Sequence, residues 1–288
     1  MNKIEQNDDI KLTNKIVNTS AYSFDLSSTQ PSLVYSNNGN IYFNNYKIGI
    51  ETSMKGDLNA DIKYYPIGDQ LFTTVSKKSG LRVYDAFTLE NIYNYTAEEL
   101  SSHTYNKTRF LIGVTAVSGI KFYDLRCRYS INFLSLRNSK KIKFYGNEFV
   151  GIGEDFMIKG DIRNIGKSCL HKVTGITDYD TIDNEDNEYI ICSKDKYFYI
   201  SLWNSKANIE KICYSDKMYS NSKLFKYIIV PDGSNIQCVN KNQNVKLNLD
   251  LKEKIEDLIF DQKSDLLFLK TKEGIYTVSK SNLLNQNL

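Results

Sequence analysis

The stretch QLFTTVSKKSGLRVYDAFTLENI (residues 70–92) is answered by RFLIGVTAVSGIKFYDLRCRYSI (residues 109–131), and together they state one unit twice. Each copy reads as an apolar strand, a Ser-Gly turn, an alternating strand and then Tyr-Asp. Gly80 and Gly119 lie 39 residues apart, as do Asp85 and Asp124. A period near 40 built from short strands and glycine turns marks a blade array, so the spacing predicts a β-propeller.

Working outward from this pair yields seven such units. Residues 32–45 (SLVYSNNGNIYFNN) form the first, with an Asn-Asn-Gly turn. After the two clear copies come residues 148–164 (EFVGIGEDFMIKGDIRN), 189–205 (YIICSKDKYFYISLWNS), 227–240 (YIIVPDGSNIQCVN) and 266–279 (LLFLKTKEGIYTVS). Their ends, Asn44, Asp85, Asp124, Asp161, Asn204, Asn240 and Ser279, fall 41, 39, 37, 43, 36 and 39 residues apart. No interval could hold a second domain, so residues 1–288 are expected to form a single all-β, seven-bladed propeller. The runs FLIGV, YIIC, YIIV and LLFL are continuously apolar, as expected for strands packed on both faces. The last unit runs out after its third strand and would leave an edge uncovered. Residues 9–15 (DIKLTNK) have the length and alternation of the missing outer strand. They predict a ring closed by the N-terminal strand, with Ile10 and Leu12 packed beside residues 255–277.

Composition excludes several classes of function. The 37 basic and 34 acidic residues give a net charge of +3, too balanced to indicate direct nucleic-acid binding. Asn, Lys, Ile and Tyr crowd the chain, as AT-rich codon usage would produce, so Lys-Asn runs carry no binding signal. The N-terminal residues are too polar for a signal peptide, and no apolar run approaches the ~18 residues of a membrane span. No membrane partner is expected, and the expected location is the nucleus or the cytoplasm. Five cysteines (Cys127, Cys169, Cys192, Cys213, Cys238) include no C-x-x-C pair and read as reduced, small hydrophobes.

The search for catalytic chemistry is short. His103 falls in an expected loop (EELSSHTYN) and His171 near a strand (CLHKV), and neither belongs to a metal or nucleophile motif. Gly151 and Gly153 lack the third glycine of a dinucleotide fingerprint, and no phosphate-loop motif occurs. Glu98 and Glu99 are a carboxylate pair of a kind common in loops. The acidic run DNEDNE (residues 183–188) reads most simply as a solvated loop, with a cation site as the functional alternative. No catalytic residue, cofactor or metal follows, and the expectation is a protein that is not an enzyme.

The aspartates that end the third strands suit backbone capping, because a carboxylate there can accept hydrogen bonds from the N–H groups of the following turn. Two are followed by arginine: Asp124 to Arg126 reads D-L-R, and Asp161 to Arg163 reads D-I-R. An arginine emerging there either pairs with its neighbours or offers its planar fork to a partner.

Residues 79–134, from SGLRVYDAFTLENI through EELSSH to the next blade, resemble the central blades of the Cockayne syndrome group A WD-repeat family. In that family a V-W-D-x-x-T-L blade, an N-F-x-E-E link and a short S-H loop precede the next blade. The resemblance resumes at SLWNS (residues 201–205) and at IIVPDGSNI (residues 228–236), which is similar to the family's F-V-P-Y-G-S-x-I. It implies a WD-repeat-like, non-enzymatic substrate receptor or scaffold. Such receptors join a cullin-4 ubiquitin ligase through its damage-binding adaptor and act at stalled RNA polymerase II in transcription-coupled nucleotide excision repair. The adaptor-binding W-D-x-R motif resembles the segment ending Gly160, Asp161, Ile162, Arg163, with Gly160 in place of Trp; the resemblance therefore implies partner contacts at Asp161 and Arg163. Asp124 and Arg126 fit as a second copy. The Gly-His dipeptides of ordinary WD repeats are missing. Two other readings stand beside this one: a structural propeller in a nuclear ribonucleoprotein or RNA-processing assembly, and a sugar-processing propeller, which would need clustered acids in the channel.

Overall fold

The computed structural model describes residues 14–65, 68–95, 99–106, 109–127, 129–153, 156–171, 179–185, 188–193, 197–202, 208–214, 222–224, 227–239, 244–249, 251–261 and 263–279. At residue 145, and within these ranges at 169–232 and 237–246, the backbone alone is described. Among the described residues all regular structure is strand. The chain groups into two compact units, Tyr22–Met218 and the pair of segments Met1–Ala21 and Tyr219–Leu288.

An N-terminal strand, β1 (Asn14–Val17), comes first. The first sheet holds β2 to β5 (Ser23–Leu26, Ser32–Asn37, Asn40–Asn45, Ile50–Lys55), and the second β6 to β9 (Asp61–Tyr64, Leu71–Ser76, Gly80–Asp85, Asn91–Tyr95). The third holds β10 to β13 (Leu100–Asn106, Leu111–Ala116, Gly119–Asp124, Ser130–Ser135), and the fourth β14 to β17 (Lys141–Tyr145, Glu148–Ile152, Met157–Asp161, Asn164–His171). The fifth holds β18 to β21 (Tyr179–Glu185, Glu188–Ser193, Tyr197–Leu202, Asn208–Tyr214), and the sixth β22 to β25 (Ser222–Leu224, Tyr227–Asp232, Asn235–Val239, Asn244–Leu247). The last holds β26 to β28 (Asp257–Asp261, Leu266–Lys270, Ile275–Ser279) and takes β1 as its fourth strand. All pairings are antiparallel, as in the blades of a propeller.

Within Tyr22–Met218 the core lies between consecutive sheets. Val34, Ile41, Ile62 and Phe72 fill the first seam, Leu81, Val83, Ile112 and Val114 the second, and Ile120, Phe122, Ile142 and Phe149 the third. Each such side chain contributes roughly 1.5–3 kcal/mol by leaving water. The second strand of each sheet meets neighbours on both faces, which is why β7 and β11 are buried almost throughout and read as apolar runs. The outer strands β5 and β13 are exposed at nearly every position.

In the other unit, β1 pairs with β28 through Asn14 opposite Thr277 and Lys15 opposite Tyr276, and the Lys15 ammonium lies 5.3 Å from the Tyr276 ring centre. This is the expected N-terminal strand: β1 shares Asn14 and Lys15 with the expected residues 9–15 and runs on to Val17, while residues 9–13, with Ile10 and Leu12, lie outside the described residues. Its equivalence to an ordinary outer strand shows at two glycines. Gly119 (φ 151°) would place a Cβ 2.1 Å from the Leu134 carbonyl oxygen of β13, and Gly274 (φ 154°) would place one 1.9 Å from the Val17 carbonyl oxygen of β1. Both positions exclude side chains by conformation and by the same close approach.

The structure corrects four sequence expectations. The first-sheet counterpart of Asp85 is Asn45, which lies opposite Ser32, and not Asn44. His103 belongs to strand β10 and not to a loop, because its partners, which lie in the preceding sheet, draw it into the seam. The acidic run is no plain loop: residues 183–185 end β18 and Glu188 opens β19, paired as a hairpin. Pro231 and Asp232 lie within β23, leaving the turn to Gly233 and Ser234. Trp203, Asn204 and Asn240 lie outside the described residues.

Candidate functional site

The turns that follow the third strands form one end of the second, third and fourth sheets. Asp85 accepts hydrogen bonds from the backbone N–H of Phe87 (2.7 Å) and Thr88 (2.9 Å). Asp124 accepts one from Arg126 N (2.9 Å), Asp161 one from Arg163 N (2.8 Å), and the Asn45 side-chain Oδ1 one from Lys47 N (3.2 Å). The capping expected of these positions is therefore their local role.

The two arginines do more than leave the turn. Arg126 donates from Nε to Asp124 Oδ1 (2.9 Å) and from Nη2 to Oδ2 (2.5 Å); Arg163 grips Asp161 in the same way, at 2.9 and 2.5 Å. The side chains remain 70% and 61% exposed. The bidentate bonds from Arg126 hold the Asp124 carboxyl below the usual carboxylate range, and those from Arg163 bring Asp161 down to about 2. The same structural device is thus repeated at the same end of adjacent sheets.

An aromatic side chain lies against its first copy. The Arg126 guanidinium lies 5.7 Å from the centre of the Phe110 ring, and Phe110 stacks on Tyr65 with centroids 6.2 Å apart. Phe87, Phe110 and Tyr129 are exposed at 72%, 47% and 80%. Cys127, beside Arg126, is a free thiol, as expected of a reduced cysteine, and is exposed.

The inner strands carry a second polar cluster that sequence reading missed. His103, fully buried, meets Asp61 Oδ2 through Nδ1 (2.8 Å) and Thr73 Oγ1 through Nε2 (2.7 Å). Thr73 also contacts the Tyr105 hydroxyl, which donates to the Lys63 carbonyl at 3.2 Å. Asp61 accepts further bonds from Ser23 Oγ (3.0 Å) and from the His103 backbone N–H (3.2 Å). Burial opposes ionisation of Asp61, but the charges of Lys63 and His103 and the bonds from His103 and Ser23 outweigh it and hold the carboxyl well below its ordinary range. Burial lifts the Tyr105 phenol well above its own. Asp25, on the neighbouring inner strand, is pushed up by burial and accepts the Tyr64 backbone N–H at 2.8 Å.

Acid, imidazole and hydroxyl in this order have the connectivity of a nucleophilic triad. Thr73 is fully buried, however, and its hydroxyl is shared with Tyr105, so no substrate carbonyl can approach it. The oxygens of Asp61 and Asp25 bond backbone N–H groups of adjacent inner strands and act as struts between sheets. Their sequence signal is faint, because Asp61 and His103 stand 42 residues apart. His171 ends β17 and its side chain is not described. Gly151 lies in β15 and Gly153 just past its end. No group of metal-ligating side chains occurs among the described residues.

No family model matches the sequence, and no curated protein matches it. Among solved structures, a chain of the "Crystal Structure of Mitotic Checkpoint Complex" is similar with a TM-score of 0.79 and 13% identity, over 97% of this chain and 95% of that one. At that identity the likeness speaks for fold alone. The protein has the all-β architecture of a β-propeller.

Proposed function

We propose that this protein is a non-enzymatic receptor and scaffold of the Cockayne syndrome group A type, a single seven-bladed propeller that acts in the nucleus. In this reading it links a cullin-4-type ubiquitin ligase, through the ligase's adaptor, to stalled RNA polymerase II during transcription-coupled nucleotide excision repair. Asp161 and Arg163 contact the adaptor, with Asp124 and Arg126 as the second contact.

One observation carries the reading. A bidentate Asp-x-Arg turn is repeated on adjacent sheets, and its first copy lies against the exposed Phe110 ring. Aromatic residues and arginine dominate the energetically decisive positions of protein interfaces. Rigid strands hold these turns in place, which suits recognition without rearrangement. The resemblance over residues 79–134 supports the choice of partner.

Mass spectrometry of what copurifies with the tagged protein tests the assignment. Recovery of cullin-4 and its adaptor, reduced at least tenfold in the Arg126→Ala, Arg163→Ala double variant at unchanged melting temperature, is the expected outcome. Recovery of pre-ribosomal or splicing proteins in their place, or equal adaptor capture by the double variant, overturns it.

A further inference from the structure

One backbone bond recurs at the same end of the first four sheets. The residue after the turn-capping Asn or Asp donates its N–H to the carbonyl of the residue just before the second strand. The pairs are Tyr46 to Pro31 (3.2 Å), Ala86 to Gln70 (2.8 Å), Leu125 to Phe110 (2.9 Å) and Ile162 to Asn147 (2.8 Å). The side chains set around this bond differ. Two residues after the cap stand Lys47, Phe87, Arg126 and Arg163, and across the bond stand Pro31, Gln70, Phe110 and Asn147. Of these copies, the third alone sets a cation across from an aromatic ring.

The ring and the cation meet. At 5.7 Å from the Phe110 ring centre, the Arg126 guanidinium is inside the roughly 6 Å reach of a cation–π contact. Phe110 stacks on Tyr65 with the two planes 13° apart, and the buried Tyr65 stands edge-on to the buried Tyr105 ring, 5.2 Å away at 86°. A column of rings thus runs from the seam out to Arg126. Arg163 is held differently: its side-chain hydrogen bonds go to Asp161 alone, and it has no ring contact among the described residues. In both arginines Nε and Nη2 are turned to the aspartate, which leaves Nη1 for a partner. A side chain that is already ordered has less rotamer freedom to lose on binding.

We propose that Phe110 is a positioning residue: it fixes the Arg126 guanidinium in the pose that presents Nη1, and so makes the third-sheet turn the stronger of the two partner contacts. Asp124 holds one edge of the guanidinium and Phe110 the ring side, so Arg126 is restrained twice where Arg163 is restrained once. The consequence for binding rests on the scaffold reading above. The ordering of Arg126 by Phe110 does not, and each is measured separately.

Order parameters of the arginine Nε–H groups in the full chain, from nitrogen relaxation, test the positioning. Arg126 should be the more ordered of the two arginines. Phe110→Leu should bring it down to the level of Arg163 at unchanged melting temperature, Phe110→Trp should preserve it, and neither change should move Arg163. Equal order of the two arginines in the unaltered protein, or an Arg126 value that Phe110→Leu leaves untouched, overturns the proposal. Adaptor capture reads the consequence: Arg126→Ala should lose about threefold more than Arg163→Ala, and Phe110→Leu should weaken capture where Phe110→Trp does not. An equal or larger loss in Arg163→Ala also overturns it. A protein that captures no adaptor at all sinks the ligase assignment alone, because the relaxation measurement still decides the role of Phe110.

Discussion

The seam between the second and third sheets and the seam between the third and fourth are built at equivalent positions with opposite chemistry. Register places Thr73 and Gly113 at the same site of their sheets, and likewise His103 with Ile142 and Tyr105 with Phe144. In the first seam, Thr73, His103, Tyr105 and Asp61 join in one buried hydrogen-bonded chain. In the second, Gly113 leaves space for Ile142 and Phe144, whose atoms lie 2.8 and 2.9 Å from where its Cβ would stand. A repeat can thus keep its backbone and exchange its glue. The polar seam depends on every partner being present, whereas the apolar one depends on volume.

The largest break in that comparison should come from Asp61→Ala. It strands the His103 ring, the His103 backbone N–H and the Ser23 hydroxyl, and about 3 kcal/mol should be lost in urea denaturation. Gly113→Val attacks the other seam by crowding and should cost about 1–3 kcal/mol, read the same way. Rewriting the polar seam in apolar terms, as the quadruple change Asp61→Ala, Thr73→Ala, His103→Ile, Tyr105→Phe, should cost less than Asp61→Ala alone, because no buried imidazole or carboxylate is then left unpaired. Replacing a buried polar group with its partners is milder than orphaning one of them. If the quadruple variant is the weaker protein, the seams are not interchangeable.

The smallest effect is a pH dependence that the buried acids of the inner strands carry and the apolar seam lacks. Asp61 has a folded carboxyl below its unfolded value near about 3.9, so its contribution is present above that pH and fades as the pH falls below it. Asp61→Asn should flatten that acid limb. Asp25, raised by burial, has the opposite sign: its contribution is lost as the pH rises past its unfolded value, and Asp25→Asn should remove that loss. Gly113→Val should leave both limbs unchanged.

The repeat was legible because strand runs, glycine turns and Tyr-Asp ends recur along the chain. The outer-strand role of the N-terminus was legible too, since counting strands leaves one edge uncovered. What the equal spacing of Gly80 and Gly119 hides is turn length. Ser76 pairs with Gly80 across three residues and Ala116 with Gly119 across two, so the preceding strands are offset by one. Asn45 was missed because it stands beside an identical Asn44. His103 looked like a loop residue because EELSS before it is polar, while its acceptor lies in another sheet.

That the last described sheet is equivalent to the others rests on the N-terminus serving it as β13 serves the third. Deleting residues 1–17 tests this most directly, with the melting temperature read alone and after adding a synthetic peptide of residues 1–20. The account predicts a fall of several degrees or more, reversed in part by the peptide. An unchanged melting temperature, or a loss that the peptide leaves untouched, would contradict it.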